Sequence, residues 1–169
     1  MSFTMYEKFD LYLMEGYTKE FVSLENESQT IGEKYWFDEY WYEYGCDKAI
    51  EILLKFTQDD WNKLTKEIFT KSLDYQEKVI YCMENENNEN ELEFLLYMIK
   101  TTKNSMIFEA CMESLIEFVK PETKLKFLND DKFMVLITGG RGKQENSINR
   151  KNNIYKTIYE QFFEKLNSK

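Results

Sequence analysis

Three adjacent acidic pairs, Asp38/Glu39, Asp59/Asp60 and Asp130/Asp131, are the residues whose type suits proton transfer, because an acid–base dyad needs two carboxylates aimed at one substrate. Neighbouring residues on a helix point about 100° apart, so none of these pairs converges on one atom. Glu109, Glu113 and Glu117 have better geometry, four residues apart on a single helical stripe. They read either as a solvated helix edge or as a contact for a cationic partner. The chain has no histidine, which removes the commonest general base, every histidine-dependent triad and most zinc sites. Cys46, Cys82 and Cys111 are widely spaced and lie in or beside apolar helical runs, and no CxxC spacing occurs. They read as free, packed thiols of a reducing compartment, with no structural metal and no cofactor expected. The stretch ITGGRGKQ, from Ile137 to Gln144, invites comparison with a phosphate-binding loop. That motif needs a glycine five before Gly142 and a Ser or Thr after Lys143, where Ile137 and Gln144 stand. The expectation is a flexible surface loop over 139–146, and no enzyme.

Charge narrows the partners. The formal net charge is −9, with Asp and Glu outnumbering Lys and Arg 14 to 5 over residues 1–60 and 11 to 7 over 61–120, while the balance over 121–169 is 6 to 10. An acidic surface repels phosphate backbones and phospholipid headgroups, so neither nucleic acid nor membrane is expected as a partner. The scattered cations Lys100, Lys103, Arg141, Lys143, Arg150 and Lys151 do not alter that. A basic protein would be attracted. The N-terminus, MSFTMYEKFD, has neither a basic region nor an apolar core of a signal peptide, and no run approaches the ~18 apolar residues of a membrane span. A cytoplasmic location is expected.

The elements that must position these residues are helices. One proline and six glycines in 169 residues leave few breakers, and the length suits one domain with a sizeable core. The most legible helix is Ser105 to Val119, SMIFEACMESLIEFV, with Asn104 as its cap and Pro121 beyond its end; apolar residues cover nearly every side except the glutamate stripe, so it should be enclosed. A helix within 3–24 uses Phe3, Tyr6, Phe9 and Leu13, with Gly16 as its stop, and Ser23 to Gly32 reads as a loop. In YWFDEYWYEY, Trp36, Tyr40 and Tyr44 share one helical face and Phe37 with Trp41 the next, leaving Tyr42, Asp38, Glu39 and Glu43 outward. Gly45 then separates a short helix, Asp47 to Phe56.

From residue 57 a repeat emerges. Thr57 and Asp60 form a capping box ahead of Trp61, Leu64 and Ile68; Ser72 caps a helix with Tyr75, Val79 and Ile80; Asn88 and Glu91 box a third, with Leu92, Leu95 and Ile99. A shift of 31 residues lays Trp61, Leu64, Ile68, Tyr75, Val79 and Ile80 on Leu92, Leu95, Ile99, Met106, Ala110 and Cys111, apolar on apolar throughout. The register is lost beyond Pro121, where MVLIT reads as helix for want of a partner strand, and Ser147 to Leu166 as a final amphipathic helix. Helix pairs of ~30–45 residues build stacked α-solenoids. The expected fold is therefore all-α: stacked antiparallel helix pairs, or an irregular helical bundle. It is a single domain with acidic aromatic helices over 1–56, two helix pairs over 57–120 and C-terminal helices over 121–169.

Taken from Tyr35 to Val119, the acidic aromatic entry, Trp61-x-x-Leu64, the run SLDYQE from Ser72, the run NELEFLL from Asn90 and the helix ACMESL from Ala110 carry a resemblance. The segment, about half the chain, resembles the HEAT-like helical immunity proteins encoded beside bacterial polymorphic toxins, including those of contact-dependent growth inhibition. The resemblance implies a small cytoplasmic protein, without activity of its own, that binds one toxin domain and blocks it. Many such toxins are nucleases and hence basic, and an acidic inhibitor steers onto their substrate cleft. The partner-binding residues expected are Asp38, Glu39, Tyr42 and Glu43, where carboxylates adjoin an aromatic anchor, with Glu109 and Glu113 as a secondary surface. A HEAT-like scaffold or adaptor without a toxin partner, and a helical enzyme acting through carboxylates alone, are the competing readings.

Overall fold

The computed structural model describes residues 3–16, 41–147 and 153–168, giving backbone but no side chains at 15–16, 43–44, 140–147 and 153–157. The described residues are all-α, with no strand among them, and they fall into two compact units, Met1–Cys82 and Met83–Lys169.

The first unit contains α1 (Met5–Leu11), α2 (Cys46–Leu53), α3 (Gln58–Glu67) and α4 (Leu73–Tyr81). Helix α1 widens into a π-helical run, Tyr12–Gly16, and a second π-helical run, Trp41–Gly45, leads straight into α2. Gly45 is therefore not a break: its backbone is right-handed helical, at φ −68° and ψ −36°. A short 3₁₀ turn, Ile68–Thr70, redirects the chain from α3 to α4.

Helix α1 packs against α2 and α3, and α4 against the π-helical run that follows α1. The helices expected as a first hairpin, α3 and α4, thus take their main packing from the N-terminal helix. The reason lies in one carboxylate. Thr57 and Asp60 form the capping box expected, but Asp60 does more than close it. Its Oδ2 accepts from the Thr57 backbone N–H (2.9 Å) and hydroxyl (2.7 Å), while Oδ1 accepts from the backbone N–H of Tyr6, in the first turn of α1, at 3.0 Å. Two helix N-termini, each electropositive, share one buried anion. Thr4 opens α1 with its own capping box to Glu7. Around this junction Phe9, Phe56 and Trp61 meet edge to face, at centroid separations of 5.4 and 5.2 Å.

The second unit contains α5 (Glu89–Thr101), α6 (Ser105–Glu117), α7 (Lys124–Leu128), α8 (Asp131–Ser147) and α9 (Asn153–Asn167). The three-residue connection from α5 to α6 folds them back along each other; α9 then packs on α6 and α8, and α8 on α5 and α7. The contacts close a ring, α5 to α6 to α9 to α8 and back. Asn104 caps α6 as expected, its Oδ1 accepting from the N–H groups of Met106 and Ile107. The helix ends at Glu117, ahead of Pro121, where the Thr123 hydroxyl donates to the Phe118 carbonyl and accepts from the Lys120 N–H. Phe127, Phe133 and Phe162, all fully buried, form a triangle with centroids 5.4 to 5.6 Å apart that locks α7, α8 and α9 together.

Several expectations need correcting. Of the six aligned pairs in the 31-residue shift, four are buried in both members; Met106 is 61% exposed and Ala110 half-buried, so α6 is enclosed on one broad face and not all round. The segment 139–146 continues helix α8 and forms no loop. No proline interrupts it, and glycine costs a helix only about 1 kcal/mol relative to alanine. The segment from Ser23 to Gly32 lies outside the described residues.

Large-to-small changes at fully buried sites should be costly in either unit: Ile80→Ala and Leu115→Ala should each lose about 2–5 kcal/mol in urea unfolding. Asp60→Asn should lose about 1–3 kcal/mol at neutral pH, because charge-assisted bonds to two helix starts become neutral or are lost. Burial pushes the Asp60 carboxyl up, but the Thr57 and Tyr6 bonds outweigh it and hold it below the usual aspartate value. Its contribution is therefore present above ~4, the unfolded aspartate pKa, and fades as the pH falls through the lower folded value; the Asn variant should lack that acid limb.

Candidate partner-binding surface

Consecutive residues on a helix diverge by about 100°, which is how Trp41 and Tyr42 come to serve different purposes. Trp41 is fully buried, with Tyr12 at 6.4 Å between ring centroids and the Lys78 ammonium 5.7 Å from its ring. Tyr42 is 42% exposed and meets Tyr81 of α4 edge to face at 4.7 Å; Tyr81 is itself 47% exposed. Of the four residues expected to form the primary surface, Tyr42 is thus placed outward. Asp38 and Glu39 lie outside the described residues, as does the side chain of Glu43. Tyr81 was missed, because it sits 39 residues from Tyr42 in sequence and nothing in local spacing joins them.

The glutamate stripe is less open than its spacing suggests. Glu109 is half-buried, and burial together with Glu113 pushes its carboxyl up; the Tyr159 phenol on α9 is pushed up by its own burial and by Glu109. Glu117 lies 3.1 Å from the Lys165 ammonium, also on α9. The two ends of the stripe therefore face the chain's own last helix, and Glu113 is the exposed member of the secondary pair.

Two polar clusters joined across the sequence, and a third local to the start of α5, offer chemistry. In the first, Asp10 accepts from the Lys71 ammonium at 2.6 Å and the Tyr75 hydroxyl at 2.9 Å, while the Tyr6 hydroxyl donates to Glu67 at 2.7 Å. Burial and the adjacent carboxylates push both phenols up, so they stay protonated as donors, and both carboxylates are engaged. The second cluster lines a groove of about 280 Å³ at the start of α5. There Lys120 pairs with Glu86 at 2.7 Å, and Lys126 with Glu89 at 2.8 Å and Glu93 at 2.5 Å. Its cations already carry anions, which makes it a cross-braced seam. The third is Glu91, 2% exposed, which accepts from the Asn85 backbone N–H at 2.9 Å and the Asn88 amide at 3.1 Å. The box expected of Asn88 and Glu91 is thus only half made: Asn88 caps the Asn90 N–H, but Glu91 reaches past the cap to Asn85. Among the described residues no three Cys, Asp or Glu side chains are grouped to hold a metal.

Burial pushes the Glu91 carboxyl up to about 7, against the downward pull of Asn85 and Asn88. A group whose folded pKa lies above the unfolded value, ~4.3 for glutamate, stabilises the fold at low pH and loses that contribution as the pH rises through the folded value. Urea unfolding from pH 4.5 to 8 should show stability falling across this window, and Glu91→Gln should flatten the fall; an unchanged slope in the variant would reassign the effect. Compared with known proteins, the chain matches no family model, no characterised protein and no solved structure.

Proposed function

We propose that this protein is a cytoplasmic binding protein without catalytic activity, an immunity factor that occupies and blocks a basic toxin domain. The observation that carries the reading is Tyr42. An aromatic side chain stands outward beside Tyr81, within four residues of Asp38, Glu39 and Glu43 in sequence, on the unit that holds nearly all the net charge. Residues 1–82 carry 17 Asp and Glu against 9 Lys and Arg, hence −8, whereas 83–169 carry 14 against 13, hence −1. Carboxylates raise the rate of association with a basic cleft, and tyrosine supplies the buried area that holds the complex. The resemblance of the segment Tyr35 to Val119 to HEAT-like immunity proteins supplies the class of partner.

The ring of contacts among α5, α6, α8 and α9 suits two stacked helix pairs of a short HEAT-like solenoid, with α8 and α9 as the second pair; a four-helix bundle has the same contacts. No described helix is long and apolar enough to cross a membrane, which agrees with a soluble inhibitor.

The adjacent gene provides the test. If it encodes a large secreted protein with a toxic C-terminal domain, co-expression of this chain should rescue growth, and Tyr42→Ala should weaken the complex by about 30-fold or more, the cost of a truncated hot spot. Circular dichroism should not change. Glu113→Lys should cost far less. Full protection with Tyr42→Ala at wild-type affinity would exclude this surface.

A further inference from the structure

Helix α4 places a second set of contacts next to Tyr42. Its buried residues, Tyr75, Gln76, Val79 and Ile80, fill one side of the helix. Leu73, Asp74, Glu77 and Tyr81 occupy the opposite arc, roughly 100° wide at 3.6 residues per turn. Leu73 is 49% exposed and Tyr81 47%. The Asp74 carboxylate is 66% exposed, whereas its ion-pair partner Lys78, 2.9 Å away, is only 13% exposed and leans over the Trp41 ring. The cation of this turn is drawn inward and the anion left outermost. Two turns further along the same arc, about 10 Å up the helix axis, Tyr81 and Tyr42 meet edge to face. A segment with more than one arginine can use both ends of this arc, a carboxylate for one guanidinium fork and an aromatic face for the plane of another.

We infer that the outer face of α4, with Tyr42 beside it, is the docking surface for an arginine-bearing segment of a basic protein partner. This rests on the proposed reading that the partner is a basic toxin domain, and it names the side chains that grip it. Charge selects this face over the exposed Leu125, Leu128 and Val135 of the second unit, whose charge is −1 against −8, and the Tyr42–Tyr81 ring pair selects it over the exposed Phe3, Leu11, Met14 and Leu54 of its own unit.

Two probes test it with the full-length chain. Octa-arginine, followed by amide chemical shifts, should perturb the backbone of residues 42 and 73–81 before that of 109–117. Tyr81→Ala and Asp74→Asn, both at exposed positions, should each weaken the peptide about tenfold or more without changing the melting temperature. Leu73→Ala serves as a second variant should Tyr81→Ala disturb folding. Shifts confined to 109–117 or spread evenly over the chain, or unchanged affinity in the Tyr81 and Leu73 variants, would overturn the inference. The second probe is the active C-terminal toxic domain from the adjacent gene, co-expressed with this chain. If that domain is neutralised equally well by wild type and Tyr81→Ala, the toxin reading stands and this surface falls. If no toxin is neutralised but octa-arginine maps to α4, the surface stands and the toxin reading falls.

Discussion

A single buried carboxylate, that of Asp60, sets the arrangement of the first unit. The start of a helix leaves backbone N–H groups without partners, and here two helix starts, those of α1 and α3, are satisfied by the same anion. The arrangement fixes the distance and direction of approach between segments 54 residues apart. Phe9 and Trp61, each one turn further along its helix, are then close enough to sandwich the edge of Phe56. The apolar contacts supply most of the free energy, but apolar burial is non-directional, and the carboxylate decides which of many compact packings forms.

In the second unit an aromatic cluster takes the organising part. Phe127, Phe133 and Phe162 come from three helices and meet at one point, so α7 is held although five residues are too few for a stable helix alone. Ion pairs such as Lys100 to Asp130, at 2.6 Å, brace its surface. Asp130 also caps α8 by accepting from the Phe133 N–H, so the helix start is tied to α5 through Lys100.

Local signals in the sequence were read well because they act over a few residues. The caps at Thr57, Ser72 and Asn104 each depend on a side chain reaching two or three residues ahead, and all three hold. Glycine misled locally, at Gly45 and over 139–146, where the chain stays helical, but most other failures depended on partners far away. Glu109 looked solvated until α9, some 50 residues later, packed beside it, whereas Glu117 stays exposed while pairing with Lys165. The Asp10, Lys71 and Tyr75 cluster joins residues more than 60 apart, a relation with no periodicity to betray it. The helix pairing was half legible: α5 and α6 fold back on each other, but α3 is claimed by α1 through Asp60, and no count of apolar positions reveals that claim. Of the candidate surface, the outward position of Tyr42 followed from helical phase alone, while its companion Tyr81 required the fold.

The alternation of Trp41 and Tyr42 has a kinetic meaning. Trp41 is immobilised between Tyr12 and Lys78, and the peptide bond passes that immobility to its neighbour. A side chain presented from a backbone already fixed has only its own two torsions left to freeze when it is gripped, so little entropy opposes capture. Rigid anchors of this kind lengthen the lifetime of a complex more than they speed its formation. For a partner docked as proposed, charge on this unit would govern the approach, and the indole beneath the surface how long the visitor stays.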